Sequence, residues 1–346
     1  MDRWKFYSIF LILLFLSLFP GTIFDARAFS LFPEPADTYM ALVGKISNEE
    51  YDATEAELFG IIEKENPKAA LQRLEALSRK NPAVLNACHA IAHDMGHKAF
   101  EKYKDFGKML KFQDDVCGAG YLHGIIEGFF KHTANAMDTL KTVCASKSLS
   151  GQSGRCYHAV GHGLMYYTQN DLPSSLGKCD SYPNAIAKRR CAEGVFMENF
   201  LADGKLHPSD YVKPDDPFYP CQFQKGFYKS ICYFYAPIFH LSLHNNDYLA
   251  AMRWCNTAPA GYRYSCTDGL ATRIMKQNLD DPKRVEKICT SGAKTQVNPC
   301  IDGMVSYYAV NYSSFEKTRD MCLLLKPAHQ KTCLNSLGRR KYFFGA

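Results

Sequence analysis

The sequence lacks the short motifs that accompany most cysteine, nucleotide and nucleophile chemistry. Its 14 cysteines form no C-x-x-C and no C-x-x-C-H, which disfavours thioredoxin-like redox activity, ribbon-type zinc sites and covalently bound haem. A P-loop, a dinucleotide fingerprint and a nucleophile elbow are also absent. The net charge of +6 includes no block of Lys or Arg, so no nucleic-acid partner is indicated.

Long apolar runs are missing after residue 28, which argues against a later membrane span. The chain opens with the charged stretch MDRWKF, continues with an apolar run over 7–19 and reaches a small-x-small ARA site that ends at Ala28. This order is typical of a secretory signal peptide. We predict a signal peptide over 1–28, either cleaved or kept as an N-terminal membrane anchor, and a linker over 29–50. The protein is then exported and is periplasmic, secreted or lumenal.

Cysteine pairs recur along the chain at a nearly constant interval. Each pair encloses ten or eleven residues, and the first cysteines of successive pairs are 35, 42, 34, 34 and 33 residues apart. A period in the mid-thirties is typical of helix–turn–helix repeats, and cysteines in an exported chain are expected to form disulfides. The six predicted bridges are Cys144–Cys156, Cys179–Cys191, Cys221–Cys232, Cys255–Cys266, Cys289–Cys300 and Cys322–Cys333.

The residues around the cysteines predict that each bridge joins two helices. Helix-like stretches such as LAAMRWC end at the first cysteine, stretches such as TSGAKTQVNP follow as loops, and stretches such as CTDGLATRIM begin a helix at the second. Each bridge then ties the second helix of one repeat to the leading helix of the next, which is worth roughly 3 kcal/mol through unfolded-state entropy. Cys88 and Cys117 remain and pair by elimination, with a free thiol at either position as the alternative.

The repeats predict an all-α protein, a right-handed α-solenoid of about eight helix–turn–helix units over 51–346, stapled by six or seven disulfides. The cysteine-free stretch NPKAALQRLEALSRKNPAVL follows the same plan. This pattern resembles tetratricopeptide-like repeats, particularly those of cysteine-rich exported proteins. The resemblance implies a concave face, lined by the leading helices, that binds a peptide or protein partner. A Pro-rich insertion around 202–220 interrupts the period and is a lid, a partner-binding loop or a tolerated insertion.

Histidines concentrate in the first half of the repeats, whereas the cysteine pairs extend to the end of the chain. When HDMGHKAF, HGIIEGFF and HGLMYYTQ are aligned, His93, His123 and His162 form one row across three consecutive leading helices. Packed helices lie about 8–10 Å apart, so side chains in such a row should converge. The predicted metal ligands are His93, His97, His123, Glu127, His158 and His162.

Imidazole and carboxylate ligands together suit a divalent transition metal, such as zinc, iron, manganese or copper. Glu127, Glu198 and Tyr166 are then the candidate catalytic residues. The metal could hydrolyse a substrate with either carboxylate as base, activate oxygen near Tyr166, or only brace the repeats. Gly124 and Gly163 follow row histidines directly, and they either admit a ligand or let the helices pack closely.

Packing is the competing interpretation of the histidines. A purely structural role should recur in every repeat, but the later repeats carry Ile238, Thr272 and Ser306 in this register, which favours a local site. The competing class of function is a non-enzymatic scaffold that binds a peptide or protein without metal, through aromatic stretches such as FYKSICYFYAPIF. His240 and His244 form one further i, i+4 pair, isolated from the row.

Overall fold

The architecture is seen in a computed structural model, which describes residues 46–112, 114, 116–133, 136–145, 153–201 and 208–341. The predicted signal peptide over 1–28 and most of the predicted linker lie outside these residues. The described residues belong to one compact unit. None of their helices combines the length and the apolar character that a membrane span requires.

The regular elements of this part of the chain are helical, with 3-10 helices at Cys221–Phe223 and Ala260–Tyr262. The α-helices in chain order are α1 (Asn48–Lys64), α2 (Pro67–Lys80), α3 (Pro82–Tyr103), α4 (Phe106–Leu110), α5 (Val116–His132), α6 (Ala136–Cys144), α7 (Ser153–Tyr167), α8 (Leu172–Cys179), α9 (Ala185–Phe200), α10 (Gly226–Tyr235), α11 (Pro237–Leu243), α12 (Tyr248–Cys255), α13 (Arg263–Lys276), α14 (Pro282–Ser291), α15 (Lys294–Tyr312), α16 (Phe315–Leu323) and α17 (Pro327–Gly338).

Several helices begin where a short polar side chain and a proline favour a helix N-terminus. The Asn81 side chain accepts a hydrogen bond from the backbone N–H of Ala83 at 2.9 Å, directly before Pro82 opens α3. Asp281 caps α14 in the same way, directly before Pro282. Proline costs no hydrogen bond there, because the first N–H groups of a helix have no partner within it. These local signals fix where the repeats turn.

All seven predicted disulfides are present, and no cysteine is free. Their Cα atoms lie 5.3 to 5.6 Å apart, within the range of ordinary bridges. Cys88 and Cys117 therefore form the seventh bridge, and the free-thiol alternative does not apply. Six of the bridges join one repeat to the next, which confirms the pairing rule.

Two local predictions need correction. TSGAKTQVNP was expected to be a loop, but α15 already begins at Lys294. The reason is Gln296, whose Oε1 accepts from the N–H of Ala293 at 3.1 Å and whose Nε2 donates to the carbonyl of Met252 at 2.7 Å. Cys221 lies in a 3-10 helix rather than at the end of an α-helix, since the described part of the insertion, 208–220, is built of turns.

Successive leading helices pack side by side in the order α3, α5, α7, α9, α10, α13, α15 and α17. A Cys-x-x-Gly sequence lets them approach until backbone meets backbone. A methyl group on Gly194 would overlap the carbonyl of His158, and one on Gly303 would overlap the carbonyl of Asp268. Only glycine fits there, so the spacing of these helices is set by main-chain contact.

The repeats also meet partners that are distant in sequence. Helix α15 contacts α5, and Arg155 Nη2 donates to Ser313 Oγ at 2.8 Å. The six leading helices from α5 to α15 therefore enclose an interior space. In an ordinary solenoid each repeat contacts only its neighbours, but these contacts join distant repeats, because the array curves far enough for them to meet.

We expect Gly303→Ala to lower the free energy of unfolding by about 1–3 kcal/mol, because the added methyl group must push α13 and α15 apart. Gly177→Ala is the matched control, since it also lies in a helix but has nothing within 4 Å of an added Cβ. That control should be neutral or stabilising by up to about 1 kcal/mol. Urea denaturation measures both, and equal effects would contradict main-chain contact as the determinant of spacing.

Candidate metal centre

Four leading helices bring histidine and carboxylate side chains to one interior position. The ring centroid of His123 on α5 lies 6.5 Å from that of His93 on α3 and 5.1 Å from that of His162 on α7. Glu198 on α9 and Glu127 on α5 are buried beside them. The side chains of the row therefore converge, because the glycine contacts hold their helices close.

Glu127 contacts two histidines of the neighbouring helix. Its Oε1 lies 3.0 Å from His93 Nε2, and its Oε2 lies 3.2 Å from His97 Nε2. His93 and His97 are one helical turn apart, so both face the same carboxylate. Glu127 itself is only 4 % exposed. This arrangement forms a first group of three candidate ligands.

A second group of candidate ligands also includes Glu127. His162 Nδ1 is 2.8 Å from Glu198 Oε2, and His162 Nε2 is 3.2 Å from His158 Nε2. Glu127, His162 and Glu198 each offer a ligand atom within 4.8 Å of the others, as do His93, His97 and Glu127. Glu127 is therefore common to both groups.

The spacing of these atoms fits metal ligation. Ligand atoms placed tetrahedrally at roughly 2.0–2.1 Å from a zinc ion lie about 3.3 Å from one another. The Nε2 atoms of His158 and His162 lie 3.2 Å apart. The distance between His97 Nε2 and Glu127 Oε2 is also 3.2 Å. Two imidazole nitrogens that face each other must share either a proton or an ion. The geometry is compatible with an ion held between them.

The charges of the first group are tightly linked. Burial alone would lower the pKa of His93, but Glu127, together with Asp94, raises it to about 10. Burial would likewise raise the pKa of Glu127, but His93 lowers it. Without metal, the two side chains thus form an imidazolium–carboxylate pair.

Three other histidines of the cluster are neutral. Burial holds the pKa values of His89, His123 and His158 well below 6.5. Neighbouring histidines act in the same direction, as do Lys276 on His89 and Arg190 on His158. His89 Nδ1 donates to the carbonyl of Cys117 at 2.8 Å, which leaves the lone pair on Nε2. A neutral imidazole fixed by a hydrogen bond through its other nitrogen is the form that binds metals.

Acidic side chains also lie near Nδ1 of His93, the ring nitrogen that does not contact Glu127. Asp94 Oδ1 lies 4.0 Å from His93 Nδ1, and the Tyr51 hydroxyl donates to Asp94 Oδ2 at 2.5 Å. Burial, followed by the charge of Asp94, raises the pKa of Glu55 to about 7. Such partners behind a ligand orient it and increase its basicity.

The glycines that follow the row histidines serve packing. A methyl group on Gly124 would overlap the carbonyl of His93, and one on Gly163 would overlap the ring of Phe130. The space beside these glycines is thus filled by the neighbouring helix or by an aromatic ring. Of the two alternatives for these residues, close packing is the correct one.

Two other sequence candidates have different surroundings. Tyr166 is 40 % exposed, in contrast to the buried carboxylates. The ring of His240 stacks on Trp254 at 4.1 Å and lies 4.3 Å from His244. Its nitrogens have no hydrogen-bond partner among the described residues, and burial lowers its pKa to about 4. His240 therefore behaves as a packed neutral ring.

Sequence reasoning missed three polar groups from later repeats. The ring of Tyr235 lies 6.5 Å from that of His158, and Arg273 Cζ lies 5.6 Å from the Tyr235 ring centroid. Lys276, one turn beyond Arg273, acts electrostatically on His89. The sequence did contain a signal for Lys276, because Lys276 and Glu127 both lie ten residues after the second cysteine position of their repeats and are therefore in equivalent positions.

Comparison with protein-family models, with curated proteins and with solved structures finds no match for this chain. Function is therefore inferred from the geometry and chemistry of the site alone.

We expect His93 of the metal-free protein to stay protonated at neutral pH and to lose its proton only as the pH rises toward 10. His123 and His158 should stay neutral until the pH falls well below 6.5. Imidazole NMR shifts followed over a pH titration measure all three. Glu127→Gln is the control, because it removes the main cause of the raised pKa and leaves His93 buried. A midpoint for His93 near 6.5 in the unaltered protein would contradict the ion pair.

Proposed function

We propose that this protein binds divalent transition-metal ions at a pair of adjacent positions that share Glu127. The observation that carries the proposal is that Glu127 belongs to both groups of candidate ligands, and within each group the ligand atoms lie within 4.8 Å of one another. Two ions held by a common carboxylate about 3.5–4 Å apart recur in metal-dependent hydrolases. Zinc and manganese suit this ligand set, as do iron and copper.

The ligand count favours catalysis over bracing. Each group offers three protein ligands, as catalytic zinc sites do, whereas structural sites are closed by four. A bound ion would act as a Lewis acid and lower the pKa of a coordinated water. Glu198, held by His162 at 2.8 Å, offers one oxygen as a ligand, and we assign its second oxygen as proton acceptor, since Glu127 is already shared by two imidazoles. We therefore favour hydrolysis. Oxygen activation would use Tyr166, which is 40 % exposed rather than buried with the carboxylates.

Export belongs to the same proposal. Seven disulfides require an oxidising compartment to form and persist. They therefore support export directed by a signal segment over 1–28, which is then either cleaved or kept as an anchor. A right-handed, tetratricopeptide-like array is proposed from the repeat period. The competing proposal is a scaffold that binds a peptide or protein without metal.

We expect protein purified from an oxidising compartment to carry roughly two ions per chain, measured by elemental mass spectrometry. Glu127→Gln should remove both, because both groups use this carboxylate. Glu198→Gln should remove mainly one. Loss of a ligand should weaken binding by at least the 10- to 100-fold that loss of an orienting partner costs.

The matched control is His329→Ala. His329 Nδ1 lies 2.6 Å from the buried Glu286, so this variant breaks a similar histidine–carboxylate pair outside both ligand groups. Its metal content should equal that of the unaltered protein, with circular dichroism confirming the fold of every variant. Metal-free protein from an oxidising compartment, or metal content that survives Glu127→Gln, would overturn the proposal and leave the scaffold.

A further inference from the structure

Two basic side chains of α13 enter the interior without a counter-ion. Arg273 and Lys276 are one helical turn apart. Among the residues that the structure describes, no carboxylate lies within ion-pair distance of either, and Arg273 Nε has no hydrogen-bond partner. Burial and the charge of Arg273 lower the pKa of Lys276 to about 7, as expected for a lysine with no anion beside it.

These cations face the candidate metal centre. Arg273 Cζ lies 5.6 Å from the centroid of the Tyr235 ring, and that ring lies 6.5 Å from the ring of His158. His158 in turn contacts His162. Arg273 thus stands across one aromatic ring from the ligand groups.

Water reaches the side chains on both sides of this interior space. Burial depresses the pKa values of Arg273 and Lys276, yet part of each side chain stays accessible to water. His89 and His158 show the same combination. Side chains that are surrounded by protein and still reached by water indicate a hollow between the cations and the histidines.

The acidic groups near this hollow are already paired. Glu193 acts electrostatically on Tyr235, but its oxygens lie 3.1 Å from Arg189 Nε and 2.6 Å from Arg190 Nη1. Glu127 and Glu198 are held by histidines. A buried charge without a partner is costly, so a negatively charged ligand would supply the partner that Arg273 and Lys276 lack.

We propose that Arg273 and Lys276 bind an oxyanion group, a phosphate or carboxylate, of a small molecule lodged in the interior beside the metal centre. The planar guanidinium suits bidentate contact with such a group, and the lysine supplies a compact charge. The assignment of this molecule as a substrate rests on the proposed function. The anion site itself rests only on the two cations and the hollow.

Calorimetry with inorganic phosphate and, separately, with acetate tests the site and distinguishes the two oxyanions. Arg273→Gln and Lys276→Gln should each weaken binding of the preferred anion about 10- to 100-fold. Arg253→Gln, an exposed arginine on α12, should leave binding unchanged. Binding that is absent, or equal in all four proteins, would overturn the site.

Thermal unfolding supplies an independent readout. The preferred anion should raise the Tm of the unaltered protein and should not raise that of Arg273→Gln. Without the anion, Arg273→Gln should be at least as stable as the unaltered protein, because it removes an unpaired buried charge. A loss of stability that is the same with and without anion would show a structural role and overturn the proposal.

The same titrations on protein treated with a chelator separate the two proposals. If the protein contains no metal even before chelation but binds an anion in a way that depends on Arg273, the oxyanion site is supported and the metal centre is contradicted. Metal binding that depends on Glu127, with anion affinity indifferent to Arg273 and Lys276, would do the reverse.

Discussion

The interior chemistry depends on main-chain contact between successive leading helices. Glycines face one another across two of these interfaces, Gly96 with Gly124 and Gly161 with Gly194, and the disulfides fix the level at which neighbouring helices meet. Side chains one helical turn from these contacts have little freedom to separate. The 2.8–3.2 Å contacts among the histidines and Glu127 and Glu198 follow from that spacing.

Stability is a weak explanation for such a cluster. Buried ion pairs such as His93 with Glu127 often contribute little once the cost of desolvation is counted, and a hydrophobic core would hold the helices together as well. The protonation states point to function instead. His123 and His158 are neutral, which is the state a metal requires, and the proton on His93 is the group that an incoming ion would displace. Metal binding at this site would therefore be coupled to proton release.

The sequence predicts what recurs locally and misses what depends on curvature. The cysteine period identified six disulfides, because a fixed period makes neighbouring repeats equivalent, and Cys88–Cys117 followed by elimination. The same equivalence allowed the leading helices to be aligned, which gave the row of His93, His123 and His162. The early start of α15 was missed because Gln296 finds partners on Met252 and Thr267, in other repeats. The contact of α15 with α5 was missed because it results from small rotations between successive repeats that accumulate over the whole array. No single stretch of sequence encodes that sum.

Curvature also accounts for the opposite charges that meet in the interior. Counted from the second cysteine position of each repeat, Glu127 and Lys276 both stand at position ten, and Glu198 and Arg273 both stand at position seven. An open array would keep these carboxylates and cations apart on distant helices. Once α5 and α15 meet, equivalent positions face one enclosed space, with imidazoles and carboxylates on one side and unpaired cations on the other. A metal ion would bind the imidazoles and carboxylates, and a separate oxyanion would pair with the cations. A single ligand could do both, if its anionic group contacted Arg273 and adjacent atoms of the same molecule coordinated the ion.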